Sequence, residues 1–156
     1  IAISLAKNIT NSEVFAVDVS EKALVIAEKN AILNQVQVTL LPKNILETTT
    51  LNQKFDIIVS NPPYVRNIEK DQISANVIDF EPHLALFVKD ENPLLFYEAI
   101  TKYASKNLAR EGHLFFEINE YLGSDMINLL QDNNFRNIEV KQDIFKKDRM
   151  IKGVKR

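Results

Sequence analysis

Short apolar runs alternate along this chain with stretches in which apolar side chains recur at helical spacing. The apolar runs are typical of buried strands, and the spaced stretches are typical of helices that cover a sheet. The predicted strands are residues 14–18, 36–41, 55–60, 113–118, 135–142 and 149–154. The predicted helices are residues 1–8, 21–34, 93–109 and 121–133. This order predicts an α/β fold with helices on both faces of a mostly parallel sheet.

Capping and turn residues indicate where several of these elements begin and end. Ser20 is a favourable N-cap for the second helix. Pro93 is suited to the first position of the third helix, where its missing amide hydrogen costs nothing. Glu111-Gly112 predicts a turn before the fourth strand. Residues 65–91 form a long connection, which is typical of a lid or binding loop, with one short helical stretch near 69–76.

The most specific motif is Asn61-Pro62-Pro63-Tyr64, directly after the predicted strand 55–60. The two prolines remove two backbone donors and hold the chain extended. The carbonyls of Asn61 and Pro62 therefore lack local partners, and the Asn61 side chain adds a further acceptor. Such acceptors suit a planar amino group, and Tyr64 can stack on a flat amide or base. The alternative is a rigid turn that ends a strand.

Asp18 is a second candidate, because it ends an early strand just before a helix. Ligands of doubly wound sheets bind at this carboxyl edge of the strands. Its carboxylate can accept two hydrogen bonds from a ribose diol. The alternative is a helix-capping acid beside Ser20.

Composition narrows the class of protein. The net charge of −2 over 156 residues argues against a generally basic surface that coats nucleic acid. The chain has no cysteine and only two histidines, far apart, so we expect no metal site. No apolar run reaches the ~18 residues of a membrane span. The basic segment 145–156 could contact phosphate, but a solvated edge that discourages strand pairing is favoured.

Asn61-Pro62-Pro63-Tyr64 resembles the signature of S-adenosylmethionine-dependent methyltransferases that modify planar amino groups. Phe80-Glu81-Pro82, followed by Leu84-Ala85-Leu86, is similar to a segment of the HemK/PrmC family, which methylates the glutamine in the Gly-Gly-Gln loop of peptide-chain release factors. Further similar segments are residues 1–6, 115–118 and 148–149. The resemblance covers essentially the whole chain. It implies a Rossmann-like class I methyltransferase, a three-layer αβα sandwich whose C-terminal strand is antiparallel.

The resemblance also implies roles for single residues in cofactor binding. Asp18 would hold the ribose hydroxyls of S-adenosylmethionine. Asn44 stands where an acid usually contacts the adenine amino group, and an asparagine can accept a hydrogen bond there without the charge. Asn61 would border the cofactor as well as the substrate.

For the substrate, the resemblance implies a catalytic site formed by Asn61, Pro62, Pro63 and Tyr64. Asn61 and the Pro62 carbonyl would orient the substrate amide nitrogen, and Tyr64 would pack on it. Glu81 and Pro82 would shape the loop that binds the substrate. The alternative for Glu81 is a solvated loop acid. Glu117, in the similar segment 115–118, could instead be a buried acid paired at the sheet edge.

The activity implied by the resemblance is methylation of a glutamine side chain in release factors. The expected setting is the cytoplasm, with no membrane and no direct nucleic-acid partner. Two alternatives stay open. One is a nucleic-acid adenine or guanine amino methyltransferase that shares the tetrapeptide. The other is a non-catalytic, methyltransferase-like binding module.

Glycine is scarce, with only Gly112, Gly123 and Gly153 in the chain. Nucleotide-binding α/β domains usually carry glycines near their N-terminus. The resemblance implies that residues 1–6 follow a Gly-rich cofactor loop. We therefore expect residues 1–156 to be a single methyltransferase domain truncated at its N-terminus, without the first central strand. Alone, it would bind S-adenosylmethionine poorly and be inactive.

Overall fold

The computed structural model describes residues 1–66, 87–88 and 91–156 of the chain. These residues form two compact units, Ile1–Thr48 and Thr49–Arg156. The predicted short helix near 69–76 lies outside the described residues. No helix in the described ranges combines the length and the apolar character that crossing a membrane requires.

The first unit contains a parallel pair of short strands connected by a helix. Its elements are α1 (Ala2–Asn8), β1 (Phe15–Asp18), α2 (Glu21–Leu33) and β2 (Thr39–Pro42). Asp18 lies opposite Pro42 in the parallel register, so both strands end at the same edge. The Ser20 hydroxyl caps α2 as predicted, because it accepts a hydrogen bond from the Ala23 amide at 3.2 Å.

The second unit is built on a mixed four-stranded sheet. Its elements are β3 (Phe55–Ser60), β4 (Val65–Arg66), β5 (Phe87–Val88), α3 (Leu95–Asn107), β6 (Leu108–Glu117), α4 (Gly123–Asp132), β7 (Phe135–Gln142) and β8 (Asp148–Lys155). The order across the sheet is β3-β6-β8-β7, and β4 and β5 form a separate parallel pair. Strands β3 and β6 are parallel, whereas β8 is antiparallel to both of its neighbours. The antiparallel C-terminal strand is therefore confirmed.

The core of the second unit lies between this sheet and the two helices. Helix α3 contacts β6 and α4, and α4 contacts β7 and β8. Side chains alternate along β6, so that Leu114 and Phe116 are buried while His113 and Phe115 are only half-buried. The largest buried side chains include Tyr97, Leu114, Phe116, Ile118, Met126, Leu130, Phe135 and Ile151. This packing holds the carboxyl ends of β3 and β6 side by side.

Several predicted boundaries were wrong, and the largest difference is at the start of β6, where pairing with β3 overrides a local turn signal. Helix α3 begins at Leu95, so Pro93 lies before the helix and not at its first position. The helix ends at Asn107 and β6 follows at once. The predicted turn at Glu111-Gly112 lies inside β6, where it forms an irregularity in the ladder with β3. Glu111 has a φ of 64° there, which explains the turn signal.

The interpretation of the basic C-terminal segment as a sheet edge was also wrong. Strand β8 lies between β6 and β7 and pairs with both. Two of its positive charges pair with acids on neighbouring segments, and the third, Lys155, donates to the Leu108 carbonyl at 2.9 Å. Lys152 lies 3.0 Å from Glu139, and Arg149 lies 3.2 Å from Asp143.

Candidate active site

The Asn61-Pro62-Pro63-Tyr64 segment leaves the sheet at the carboxyl end of β3, as predicted. Asn61 is exposed, Pro62 is buried, and Pro63 and Tyr64 are half-buried. The Asn61 side chain makes no hydrogen bond to another described residue. Its carboxamide oxygen is therefore available as an acceptor, on a backbone that the two prolines keep stiff.

Tyr64 is held at both its main chain and its hydroxyl. The hydroxyl donates a hydrogen bond to Oε1 of Glu117 at 2.8 Å. The Tyr64 carbonyl accepts a hydrogen bond from Nδ2 of Asn119 at 3.3 Å. Both partners follow from the parallel pairing of β3 and β6, since parallel neighbours end at the same edge. Tyr64 is thereby held at two points, three residues after Asn61.

The electrostatics of this cluster keep the Tyr64 hydroxyl protonated. Burial and the hydrogen bond to the Glu117 carboxylate raise the pKa of Tyr64 to about 12. The Arg149 guanidinium, which is ion-paired with Asp143, interacts with the same hydroxyl and opposes part of that shift. Tyr64 is therefore a neutral donor and not a base at physiological pH.

Helix α3 is joined to the same strand end through Tyr97, which is fully buried. Its hydroxyl donates to the backbone carbonyl of Glu117 at 3.1 Å. Its ring meets Phe116 edge to face with 5.3 Å between centroids. Burial raises the pKa of Tyr97 as well. The residues at the end of β6 are thus fixed from the helix side and from the tetrapeptide side.

Asp18 and Asn44 lie at one edge of the β1–β2 pair, because Asp18 is opposite Pro42 and Asn44 follows two residues later. Asp18 is exposed, and its Oδ1 accepts a hydrogen bond from the Ser20 amide at 2.8 Å. This is the capping contact that the alternative interpretation expected, and it engages one of the two carboxylate oxygens.

Asn44 uses its side chain in its own turn. Its carboxamide oxygen accepts from the Leu46 amide at 3.1 Å, and its Nδ2 donates to Glu47 at 2.9 Å. One lone pair of the carbonyl oxygen is left for a ligand. The two other predicted site residues, Glu81 and Pro82, lie outside the described residues.

The second unit also has an open cavity of about 440 Å³, between residues 49–54 and the end of α3. It lies at the amino end of β3, opposite to Asn61. Lys54 donates there to the Lys106 carbonyl at 2.6 Å, so this cation neutralises a helix C-terminus. The cavity is separate from the tetrapeptide.

Comparison with known proteins decides the family. The family model described as "Methyltransferase small domain" matches residues 1–83, more than half of the chain. The chain belongs to this methyltransferase family.

Two curated relatives are similar over almost all of this methyltransferase chain. The release factor glutamine methyltransferase of Flavobacterium psychrophilum is 60% identical over 97% of the chain, and that of Bacteroides thetaiotaomicron is 47% identical over 97%. The matches cover 53% and 55% of those proteins, so the chain spans about half the length of the curated relatives it matches. The resemblance to the HemK/PrmC family is confirmed.

The fold of the methyltransferase chain is shared with a solved structure of distant sequence. The crystal structure of a methyltransferase from Pyrococcus furiosus superimposes with a TM-score of 0.69 at 16% identity. The superposition covers 97% of this chain and 67% of the other. The predicted class I methyltransferase fold is therefore confirmed.

Sequence reasoning missed the contact between Glu117 and Tyr64 and did not single out Asn119. The alternative for Glu117, a buried acid paired at the sheet edge, has the right location and a partner, the motif tyrosine, but Glu117 is only half-buried. The available signal was the same as for Asp18: an acid at the end of a parallel strand. Applied to β6, that rule points to Glu117.

Proposed function

We propose that this chain is the methyl-transfer domain of a release factor glutamine methyltransferase, which acts on the glutamine amide nitrogen of the Gly-Gly-Gln loop. One observation carries the proposal: Asn61 is exposed and its carboxamide has no partner among the described residues, on a proline-stiffened backbone that continues to Tyr64, whose hydroxyl is bound by Glu117. The names of the relatives support the choice of substrate. The proposed setting is the cytoplasm, with the release factor as partner and no membrane or direct nucleic-acid contact.

The chemistry requires a weak nucleophile to be positioned. The nitrogen of a neutral amide is unreactive because its lone pair is delocalised into the carbonyl group. Asn61 Oδ1 and the Pro62 carbonyl accept the two amide hydrogens, and Tyr64 packs on the amide plane. Such positioning is worth up to ~7–11 kcal/mol in favourable cases.

S-adenosylmethionine, when bound, supplies an electrophilic methyl group on a sulfonium. The residues present fit the ribose of this cofactor in part: Asp18 is exposed at the carboxyl end of β1 and has one carboxylate oxygen not used by Ser20. Asn44 would offer the adenine its remaining carbonyl lone pair. Asn61 would border the methyl group.

The amide nitrogen loses one proton when it gains the methyl group. The tetrapeptide holds no strong base, since the raised pKa of Tyr64, about 12, keeps its hydroxyl protonated. We therefore propose that the proton leaves to solvent during or after transfer. Glu81 and Pro82 are proposed to shape the loop that binds the substrate glutamine.

The test replaces Asn61 by Ala in the protein expressed from its complete gene and follows transfer of a labelled methyl group to a release factor. We expect kcat to fall about 100-fold, the typical cost of a misplaced reacting group. The matched control is Asn30→Ala, an exposed asparagine near the end of α2, which should retain wild-type turnover.

A second control uses a release factor whose loop glutamine is replaced by alanine, which should take up no methyl group. Near-normal turnover by Asn61→Ala would refute the role of the tetrapeptide. Methyl transfer to RNA or DNA, but not to the release factor, would instead establish the nucleic-acid alternative.

A further inference from the structure

Among the described residues, Glu117 is an acidic side chain that contacts the proposed catalytic tetrapeptide. It ends β6, the strand parallel to β3, and its Oε1 lies 2.8 Å from the Tyr64 hydroxyl. Its own backbone carbonyl is held by the buried Tyr97 at 3.1 Å. A carboxylate on a backbone held in this way can fix the position of the tyrosine hydroxyl that it binds.

The hydrogen bond restricts Tyr64 in a way that its main chain cannot. Asn119 holds the Tyr64 carbonyl, but rotation about the side-chain bonds would still let the ring swing. A hydroxyl bound to a carboxylate forms one of the stronger hydrogen bonds in proteins, and it fixes the far end of the ring. The two contacts together hold Tyr64 at its main chain and at the far end of its ring.

We infer that Glu117 is a positioning residue, which acts through the Tyr64 hydroxyl to set the ring that packs on the substrate amide. The inference rests on the proposed function and adds a residue to its site. Glu117 does not touch the substrate in this scheme. A competing role for the same carboxylate is a general base that takes the amide proton, and the two roles respond differently to substitution.

Glutamine separates the two roles, because its carbonyl oxygen can accept the tyrosine hydrogen bond but cannot take up a proton at neutral pH. For a positioning residue, Glu117→Gln should keep kcat within about threefold of wild type, whereas Glu117→Ala should lower it roughly 10- to 100-fold, the effect of losing a hydrogen bond to a charged group. The Michaelis constant for S-adenosylmethionine should stay unchanged. If Glu117→Gln is as slow as Glu117→Ala, or if its pH–rate profile loses a limb that wild type has, the positioning role is wrong.

A double-substitution cycle tests whether Glu117 acts through the hydroxyl. Tyr64→Phe keeps the ring and removes the donor, so it should slow turnover about as much as Glu117→Ala. Adding Glu117→Ala to Tyr64→Phe should then cause no further loss. Additive losses would mean that Glu117 acts elsewhere, and would overturn the inference. The matched control is Glu139→Ala, which removes an ion pair with Lys152 on the same sheet and should leave turnover unchanged.

A measurement without turnover separates this inference from the proposed function. Tyrosinate absorbance, taken as the difference between wild type and Tyr64→Phe, reports ionisation of Tyr64. In wild type this ionisation should occur near the raised pKa of about 12, and in Glu117→Ala it should move towards 10.0. No movement would overturn the inference even if the release factor is methylated. An enzyme that does not methylate the release factor would refute the proposed function, while the titration still decides the contact.

Discussion

Replacing Gly112 by Ala tests the packing of the irregularity that joins β6 to β3. Between Phe55 and Ile57, β3 advances two residues, while β6 advances five, from Leu108 to His113. A Cβ atom on Gly112 would lie 2.9 Å from the Ala109 carbonyl oxygen. It would also lie 3.1 Å from the Asp56 carbonyl oxygen. Both are backbone atoms, so neither can rotate away.

The expected loss follows from two opposing effects. Overpacking of this kind costs about 1–3 kcal/mol, because the backbone has to shift. A Gly-to-Ala change also raises the free energy of unfolding by about 0.4–1 kcal/mol, because it reduces the entropy of the unfolded chain. The net loss of unfolding free energy should be about 1–2 kcal/mol. For a chain of this size that corresponds to a fall in Tm of about 2–8 °C.

Gly123→Ala is the matched control, because its new Cβ atom meets only a side chain. That atom would lie 2.6 Å from Oδ2 of Asp148, the end of a flexible carboxylate that can turn aside. Gly123 is also the first residue of α4, where alanine is favoured over glycine by up to about 1 kcal/mol. This variant should be as stable as wild type or slightly more stable.

Urea unfolding, followed by circular dichroism because the chain has no tryptophan, measures both variants. The midpoint for Gly112→Ala should fall while the slope with denaturant stays constant. Unchanged or increased stability of Gly112→Ala would refute the argument. So would a loss in Gly123→Ala that equals or exceeds it.

Two further outcomes follow from the second unit. Leu130→Ala should lower the free energy of unfolding by about 2–5 kcal/mol, since this fully buried side chain packs beside Gly153 and Phe135. Urea unfolding measures the loss, and a value below about 1 kcal/mol would contradict the core role of Leu130. Asp143 accepts hydrogen bonds from the Lys147 amide, which has the largest effect, and from the Phe145 amide and Arg149, and these hold the pKa of its carboxyl group below 3.8. Their contribution to folding stability is therefore complete above pH 3.8. It disappears as the pH falls through the lower pKa of the folded state. A carbon NMR titration of Asp143 should show this, and a midpoint at or above 3.8 would contradict it.

Some elements could be predicted because their signals are local. Ser20 caps α2 in the structure as it does in the pattern, since the cap needs only residues three positions apart. Strand β7 has its predicted bounds, Phe135–Gln142, because Asn134, with a φ of 65°, turns the chain directly before it. The tetrapeptide was placed correctly after β3 because two prolines end any strand.

The sequence by itself determined the order of the helices and of the longer strands, and the position of Asn61, because spacing, capping and proline geometry act over a few residues. It indicated the family through the resemblance of the tetrapeptide to a known signature. The two-residue strands β4 and β5 were not predicted. Only the tertiary structure decided that Tyr64 meets Glu117, since these residues are 53 positions apart and come together through the β3–β6 register. The tertiary structure also decided that β8 is an inner strand, because β6 and β7 pair with its two sides. It placed Glu111-Gly112 inside β6, because β6 pairs with β3 on both sides of that turn. The local sequence determines which secondary structure each segment favours, and pairing across the sheet determines which side chains come into contact.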